Sequence, residues 1–359
     1  MKAAILREAK TDLTIEEVEI DNPRDEEVRV RVMASGLCHS DLHYVTGDLP
    51  LRGPTILGHE VAGIVESVGA RVKSLQPGDH VVACASGYCS HCNPCITGRT
   101  HLCESPPERV PPSPARISIA GEGIIQGTRV GGFAEKVLLH ENSLVKIPHE
   151  LPFDRAALLG CGVLTGLGSV FNSAKVSPGS RVAVIGCGGV GLNIIQGARI
   201  AGASQIIAVD ISPTKLDLAA KFGATDLIAG GEDAVEAVLE TSGGGVDFAF
   251  EAIGLVTTIG QAAEMLATSG LLTLVGVTGP QGKAAFPVFS TILKELRIQG
   301  ALMGSAPFQR DIPKFANMYL DGVLDLDTLI SGRIGLSDIN SGFAAMTQGA
   351  VARSVVVFD

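Results

Sequence analysis

The chain has 359 residues, of which 46% are hydrophobic and 18% charged. That is longer than one ordinary core and predicts a large globular protein of two domains. A net charge of −10 argues against nucleic acid or an anionic membrane as the main partner and leaves a small neutral substrate open.

The opening MKAAILREAK carries too short an apolar run for a secretory signal, and no stretch reaches the length of a membrane span. A cytoplasmic location is expected. Thiols stay reduced there, so clustered cysteines point to metal binding or chemistry rather than to disulfides.

Along the first part of the chain the pattern is β. The run Glu27-Val28-Arg29-Val30-Arg31-Val32 alternates with period two, as a half-buried strand does. Residues 61–68 and 80–83 read as further strands, with turns at Gly69 and Pro77-Gly78. Residues 104–132, rich in Pro and Gly, read as a long surface loop. Beyond about residue 160, apolar runs at 181–186, 205–210, 246–254, 271–276 and 297–302 alternate with helix-like stretches at 189–202, 213–222, 233–241 and 256–268. That alternation predicts a buried parallel sheet in βαβ units. The tail closes on the strand-like SVVVFD.

Four segments carry chemistry. GLCHSDLH (36–43) and GHEVAG (58–63) offer Cys38 and His59, a thiolate and an imidazole suited to zinc. A catalytic zinc takes a third protein ligand, and Cys84, Cys161 and Cys187 remain for it. Cys187 would collide with a nucleotide. Cys84 ends a strand, where a small buried residue suffices. Cys161 falls where the β-rich part meets the nucleotide part, and a cleft between domains is where cofactor and substrate meet.

The third segment, GYCSHCNPCITGRTHLC (87–103), holds Cys89, Cys92, Cys95 and Cys103. The spacing suits a tetrahedral site of four thiolates, which has no open position and is structural. The bacterial iron–sulfur run ends C-x3-C-P, and this loop does not. Without metal it would be a reactive thiol loop. His91 and His101 are expected to be loop residues and not ligands.

The fourth, VAVIGCGGVG, contains Gly186, Gly188 and Gly191 between a predicted strand and a predicted helix. Gly186 permits the turn, Gly188 admits a pyrophosphate, and Gly191 lets the helix pack on the sheet. Asp210 ends the next strand, where a carboxylate binds the ribose of NAD and repels a 2′-phosphate. Lys215, one turn into the following helix, is within reach of the same ribose.

Together these motifs, with GCGVLTG and FEAIG, stand in an order that resembles the zinc-dependent alcohol dehydrogenases of the medium-chain dehydrogenase/reductase superfamily, nearly end to end. The resemblance implies an α/β protein: a GroES-like β-rich catalytic domain from 1–162 and 303–359, and a Rossmann doubly wound parallel sheet domain over 163–302. It implies two zinc ions per chain. Cys38, His59 and Cys161 would hold the catalytic one, with Glu60 behind it and Asp41 on the ligating histidine. The four-cysteine loop would hold the structural one. Ser40 and His43 would be the two ends of a proton relay joined through the cofactor ribose. His39 and Arg353 would meet the pyrophosphate, and Thr165, Val190 and Val277 the nicotinamide.

The implied reaction is reversible hydride transfer between an alcohol and NAD+. A nicotinoprotein that keeps its NAD bound would carry the same motifs, and a non-catalytic zinc and nucleotide-binding protein is the third reading. Ala85 stands where the family commonly has an aromatic residue, which points to medium-chain, aromatic or secondary alcohols. Leu49 stands about where glutathione-dependent formaldehyde dehydrogenases carry an acid, and no basic residue matches their glutathione anchor, so that substrate is disfavoured. The length of the 104–132 loop favours a homodimer over a tetramer.

Overall fold

The computed structural model describes residues 1–107, 115–348 and 352–359. Part of the 104–132 loop therefore lies outside the described residues. The chain divides into two units, Met1–Gly162 with Pro307–Asp359, and Val163–Ala306.

The second unit is built on six parallel strands: β1 (Arg181–Ile185), β2 (Gln205–Asp210), β3 (Asp226–Ala229), β4 (Val246–Glu251), β5 (Leu266–Leu274) and β6 (Arg297–Gly300). Their order is β3-β2-β1-β4-β5-β6, the doubly wound arrangement. The inner strands β1 and β2 are apolar on both faces because helices cover both. Ala183, Ile185, Ile207, Val209, Ala249 and Leu272 form one core with Val238 and Ala262 of the covering helices.

Two readings of this unit need correction. The helix expected over 256–268 ends at Glu264, and β5 starts at Leu266 instead of 271. The reason is local. Val246 pairs with Leu266 but Phe248 with Leu271, so the chain makes an excursion between, with Ser269 at φ 61° beside Gly270. β3, Asp226-Leu-Ile-Ala, was not expected: one of its four residues is buried, too few to show a period.

The first unit is β-rich. Its seven-stranded sheet centres on Glu27–Gly36, which pairs antiparallel with Glu60–Val68, Lys136–His140 and the C-terminal Arg353–Val357. Val28, Val30 and Val32 are buried, while Arg29 faces outward onto Glu66 at 2.7 Å. A four-stranded sheet containing Lys2–Leu6 and a three-stranded one containing Ile117–Ile119 complete the unit. The 104–132 stretch is thus not all loop: Ile117–Ile119, Glu122–Gly123 and Ile125–Gln126 are strands.

Candidate active site and metal centres

Register brings the first cluster together. Gly36 pairs with Glu60 at the end of the central antiparallel pair, so the residues just beyond, Cys38 and His59, emerge side by side. Cys38 caps the helix His39–Thr46. Cys161 precedes the helix Gly162–Gly168. Ligand atoms of Cys38, His59, Glu60 and Cys161 lie within 4.8 Å of one another, and all four residues are buried.

Hydrogen bonds fix the protonation pattern. Asp41, fully buried, accepts from the Gly58 N–H at 3.0 Å and from His59 Nδ1 at 3.1 Å. The imidazole thus carries its hydrogen on Nδ1. Its Nε2 is buried with no protein partner. A hydrogen bond with Cys161 holds the Cys38 thiol well below its usual range, and the same bond, with burial, pushes Cys161 up. Glu60 Oε1 accepts from the Gly162 N–H at 3.0 Å and pairs with Arg353 Nη1 at 3.3 Å. Burial, opposed by Arg353, pushes Glu60 up to about 7. Its Oε2 has no protein partner.

A buried imidazole nitrogen left unpaired calls for an explanation. Two thiols and one imidazole around it are the soft donor set that zinc takes, leaving one position open. The residues therefore fit a catalytic zinc.

The second cluster fits a closed site. Four sulfurs on a tetrahedron with bonds of about 2.3 Å sit about 3.8 Å apart. Here Cys89–Cys95, Cys92–Cys95 and Cys92–Cys103 are 4.0, 3.4 and 3.9 Å apart. Backbone N–H groups of Cys89 and Cys92 donate to the sulfurs of Cys103 and Cys89. A backbone hydrogen bond from Glu104 draws Cys92 down to about 6. His91 is turned to the Cys89 carbonyl at 2.7 Å, and neither His91 nor His101 belongs to the cluster. Cys84 and Cys187 lie outside both clusters; burial pushes their thiols up to about 11 and about 12, which keeps them protonated.

In the second unit, Gly186 ends β1 at φ 96°, a left-handed conformation natural to glycine. Gly188 caps the helix Gly189–Ile200 without any side-chain bond, and nothing lies within 4 Å of where its Cβ would be. A Cβ on Gly191 would strike the Gly186 carbonyl. This leaves bare helix N–H groups facing open space, a cradle for phosphate. Asp210 is buried; its oxygens accept from the Cys187 N–H at 2.8 Å and the Ser212 N–H at 2.9 Å. A depression of about 450 Å³ at the ends of β2 and β3 is lined by Leu227, Gly230, Gly231 and Asp233.

The remaining candidates are placed as follows. Ser40 and His43 lie three residues apart on the helix His39–Thr46, and so on one face. His39 is exposed at its start. Thr165 is buried with its hydroxyl 3.9 Å from Met303 Sδ, Val190 and Lys215 are half-buried, and Val277 is exposed. Arg353, expected at the pyrophosphate, is buried and has its Nη1 committed to Glu60 and to the Leu37 carbonyl at 3.0 Å. Ala85 follows the strand His80–Ala83, whose last carbonyl would lie 2.6 Å from a Cβ on Gly160. That end of the strand therefore runs beside Cys161. Sequence reasoning missed Asp48, whose Oδ2 is 3.2 Å from His43 Nδ1. An acid just after the helix-ending Gly47 was the available signal.

Comparison with known proteins finds relatives along the whole chain. Residues 24–149 match the alcohol dehydrogenase GroES-like domain, and residues 189–320 the zinc-binding dehydrogenase family. A probable S-(hydroxymethyl)glutathione dehydrogenase 1 of Schizosaccharomyces pombe is 38% identical, over 99% of this chain and 96% of its own length. The crystal structure of an alcohol dehydrogenase zinc-binding domain protein from Burkholderia ambifaria superposes with a TM-score of 0.95 at 37% identity, covering 100% of this chain and 98% of that one. Benzyl alcohol dehydrogenase from Acinetobacter calcoaceticus superposes equally well, TM-score 0.95, at 32% identity over 100% and 99%. With a GroES-like domain, a Rossmann-type parallel sheet and relatives of this identity along its whole length, the chain belongs to the zinc-dependent alcohol dehydrogenases of the medium-chain dehydrogenase/reductase superfamily and is an oxidoreductase.

Proposed function

We propose that this enzyme oxidises medium-chain, aromatic or secondary alcohols with NAD+, reversibly, and holds two zinc ions per chain. The observation that carries the reading is the buried cluster of Cys38, His59 and Cys161 around an imidazole Nε2 with no protein partner. Zinc there would supply Lewis-acid polarisation of a hydroxyl, and NAD would accept the hydride.

The chain's own residues do the rest. Asp41 holds the His59 ring and its tautomer, which raises the basicity of the free nitrogen. Arg353 balances the buried charge of Glu60, which stands behind the metal ligands. Ser40 takes the proton from the substrate side, and His43 hands it on to water. The Gly186–Gly191 turn receives the phosphates. Asp210, already anchored by two backbone N–H groups, keeps lone pairs for ribose hydroxyls and none for a 2′-phosphate. Four thiolates of the 89–103 loop hold the second zinc. His39, Thr165, Val190, Lys215 and Val277 complete the cofactor site in this reading.

In this reading the small Ala85, two residues beyond the Ala83 carbonyl that lies against Gly160, leaves room for a bulky substrate, and the likeness to a benzyl alcohol dehydrogenase supports that size class. Eight cysteines, none of them in a disulfide, suit a reducing cytoplasm; no helix of the described residues is long and apolar enough to cross a membrane. A homodimer is supported by the outer edge of the second unit's sheet. There β6 has one open side, and the helix Val288–Leu293 exposes Val288, Phe289, Ile292 and Leu293, each more than 60% accessible.

The deciding experiment is a substrate panel with NAD+: ethanol, hexanol, benzyl alcohol, a secondary alcohol and S-(hydroxymethyl)glutathione, compared in kcat/KM. Hexanol, benzyl alcohol or the secondary alcohol should lead. If the glutathione adduct leads instead, the substrate assignment is wrong.

A further inference from the structure

We infer that Asp48 is a positioning residue of the proton relay, fixing the tautomer of His43 so that Nε2 is the nitrogen that receives the proton. This rests on the relay role of His43 proposed above.

The loop after the relay helix is built to hold this carboxylate in place. The helix ends at Gly47, φ 80° and ψ 15°, whose N–H returns to the Tyr44 carbonyl. The Leu49 N–H then donates to the carbonyl of His43 itself, at 3.0 Å. The turn therefore folds Asp48 back over the ring. Its Oδ2 receives the Thr46 hydroxyl at 2.7 Å and lies 3.2 Å from His43 Nδ1. The Lys10 N–H is bonded to the Val45 carbonyl, and the Lys10 stem lies against Gly47, where a Cβ would be 3.3 Å from Cε. Its ammonium adds a favourable charge on the Asp48 side.

The hydrogen bond from Thr46, then that from His43, draws Asp48 below the usual carboxylate range. An ionised carboxylate has no proton to give, so Nδ1 must be the donor. The second nitrogen, Nε2, is then an acceptor with a free lone pair. In the alcohol-oxidising direction the proton that leaves the substrate through Ser40 forms the N–H bond at His43 Nε2. The imidazolium, still bonded to Asp48 through Nδ1, releases that same proton to water and returns to its starting tautomer. His43 and Asp48 side chains are 35% and 62% exposed, so water reaches this end of the relay. Without Asp48 the ring would sample both tautomers, and only one has an acceptor on the relay side.

The test uses the zinc-loaded enzyme and four variants: Asp48→Ala, Asp48→Asn, His43→Ala and the Asp48→Ala/His43→Ala double variant. Alcohol oxidation is followed from pH 5 to 10, and the His43 tautomer is read by long-range proton–nitrogen-15 NMR. An exposed pair of this kind biases an equilibrium by at most about five-fold. Asp48→Ala should therefore lower kcat about two- to five-fold below neutral pH, leave the KM for NAD+ unchanged, and converge with wild type at high pH. Asp48→Asn, whose amide oxygen still accepts from Nδ1, should recover most of the loss. The NMR should show hydrogen on Nδ1 in wild type and a mixture in Asp48→Ala. In the His43→Ala background, Asp48→Ala should add nothing.

If His43→Ala slows oxidation while Asp48→Ala keeps the wild-type pH profile and tautomer, the carboxylate is only a turn residue and the inference fails alone. If His43→Ala has no effect at any pH, the relay reading itself is wrong and this inference goes with it.

Discussion

Asp41 lies 3.0 Å from Nδ1 of His59, and both sit on a short arc of chain that begins with Cys38 and is closed by the Gly36–Glu60 pairing. One carboxylate thus orients a candidate metal ligand and ties the backbone at Gly58. Asp41→Asn should keep the fold but weaken zinc binding at this cluster by about 10- to 100-fold, because the amide no longer favours hydrogen on Nδ1. Competition with a chelator, read by metal analysis, measures this. Unchanged retention would show that Asp41 serves the backbone alone.

The four-cysteine loop should behave as an independent staple. Cys103→Ser should release one of two zinc ions and lower the melting temperature, since a structural zinc contributes directly to folding. Elemental analysis and thermal melts decide it. A variant that keeps both metals would remove Cys103 from the ligand set.

In the proposed reading Asp210 has two tasks, and one substitution tests both through separate measurements. Asp210→Ala should narrow the preference for NAD+ over NADP+ by removing the charge that faces a 2′-phosphate. It should also destabilise the protein by about 1–3 kcal/mol, because the Cys187 N–H loses its buried acceptor. Steady-state kinetics with both cofactors and urea unfolding measure the two effects. Equal efficiency of wild type with NAD+ and NADP+ would refute the assignment.

Ala85→Phe should reduce activity on benzyl alcohol and hexanol and spare ethanol. Each methylene that loses its place costs about 0.8 kcal/mol. Selectivity should therefore shift by one to two orders of magnitude in kcat/KM for hexanol against ethanol. An unaltered size profile would place Ala85 away from the substrate.

The exposed helix beside β6 gives a test of assembly. Phe289 and Ile292 are 76% and 69% exposed. The double change Phe289→Asp, Ile292→Glu should leave the isolated chain folded, because neither side chain packs in the core, and should convert a dimer to a monomer by light scattering. A wild type that is monomeric at micromolar concentration would overturn the dimer.

The sequence shows best what short spacing enforces. The four cysteines at 89–103 come together, and the three glycines at 186–191 share one turn, because each set sits within a single turn or loop that a local pattern can show. Cys38 and His59 could be suspected from residue type, but their meeting depends on the register of Glu27–Gly36 against Glu60–Val68, which no local pattern contains. The Arg353–Glu60 pair is further still: the partners are 293 residues apart, and only the antiparallel docking of Arg353–Val357 on Glu27–Gly36 unites them. β3 and the early start of β5 escaped because one is too exposed and the other is interrupted by an excursion.

That long-range docking also sets an order of events during synthesis. The unit Val163–Ala306 is continuous and can close on itself as soon as it has left the ribosome. The unit of Met1–Gly162 cannot: its sheet lacks Arg353–Val357, and the buried Glu60 lacks its guanidinium, until that distant strand is made. A chain cut off before Arg353 should therefore show a protease-resistant core at 163–306 and a labile front. In the proposed reading the candidate ligands Cys38, His59 and Cys161 would wait for Arg353–Val357 to dock, so zinc capture there would be a closing step of biogenesis rather than an opening one.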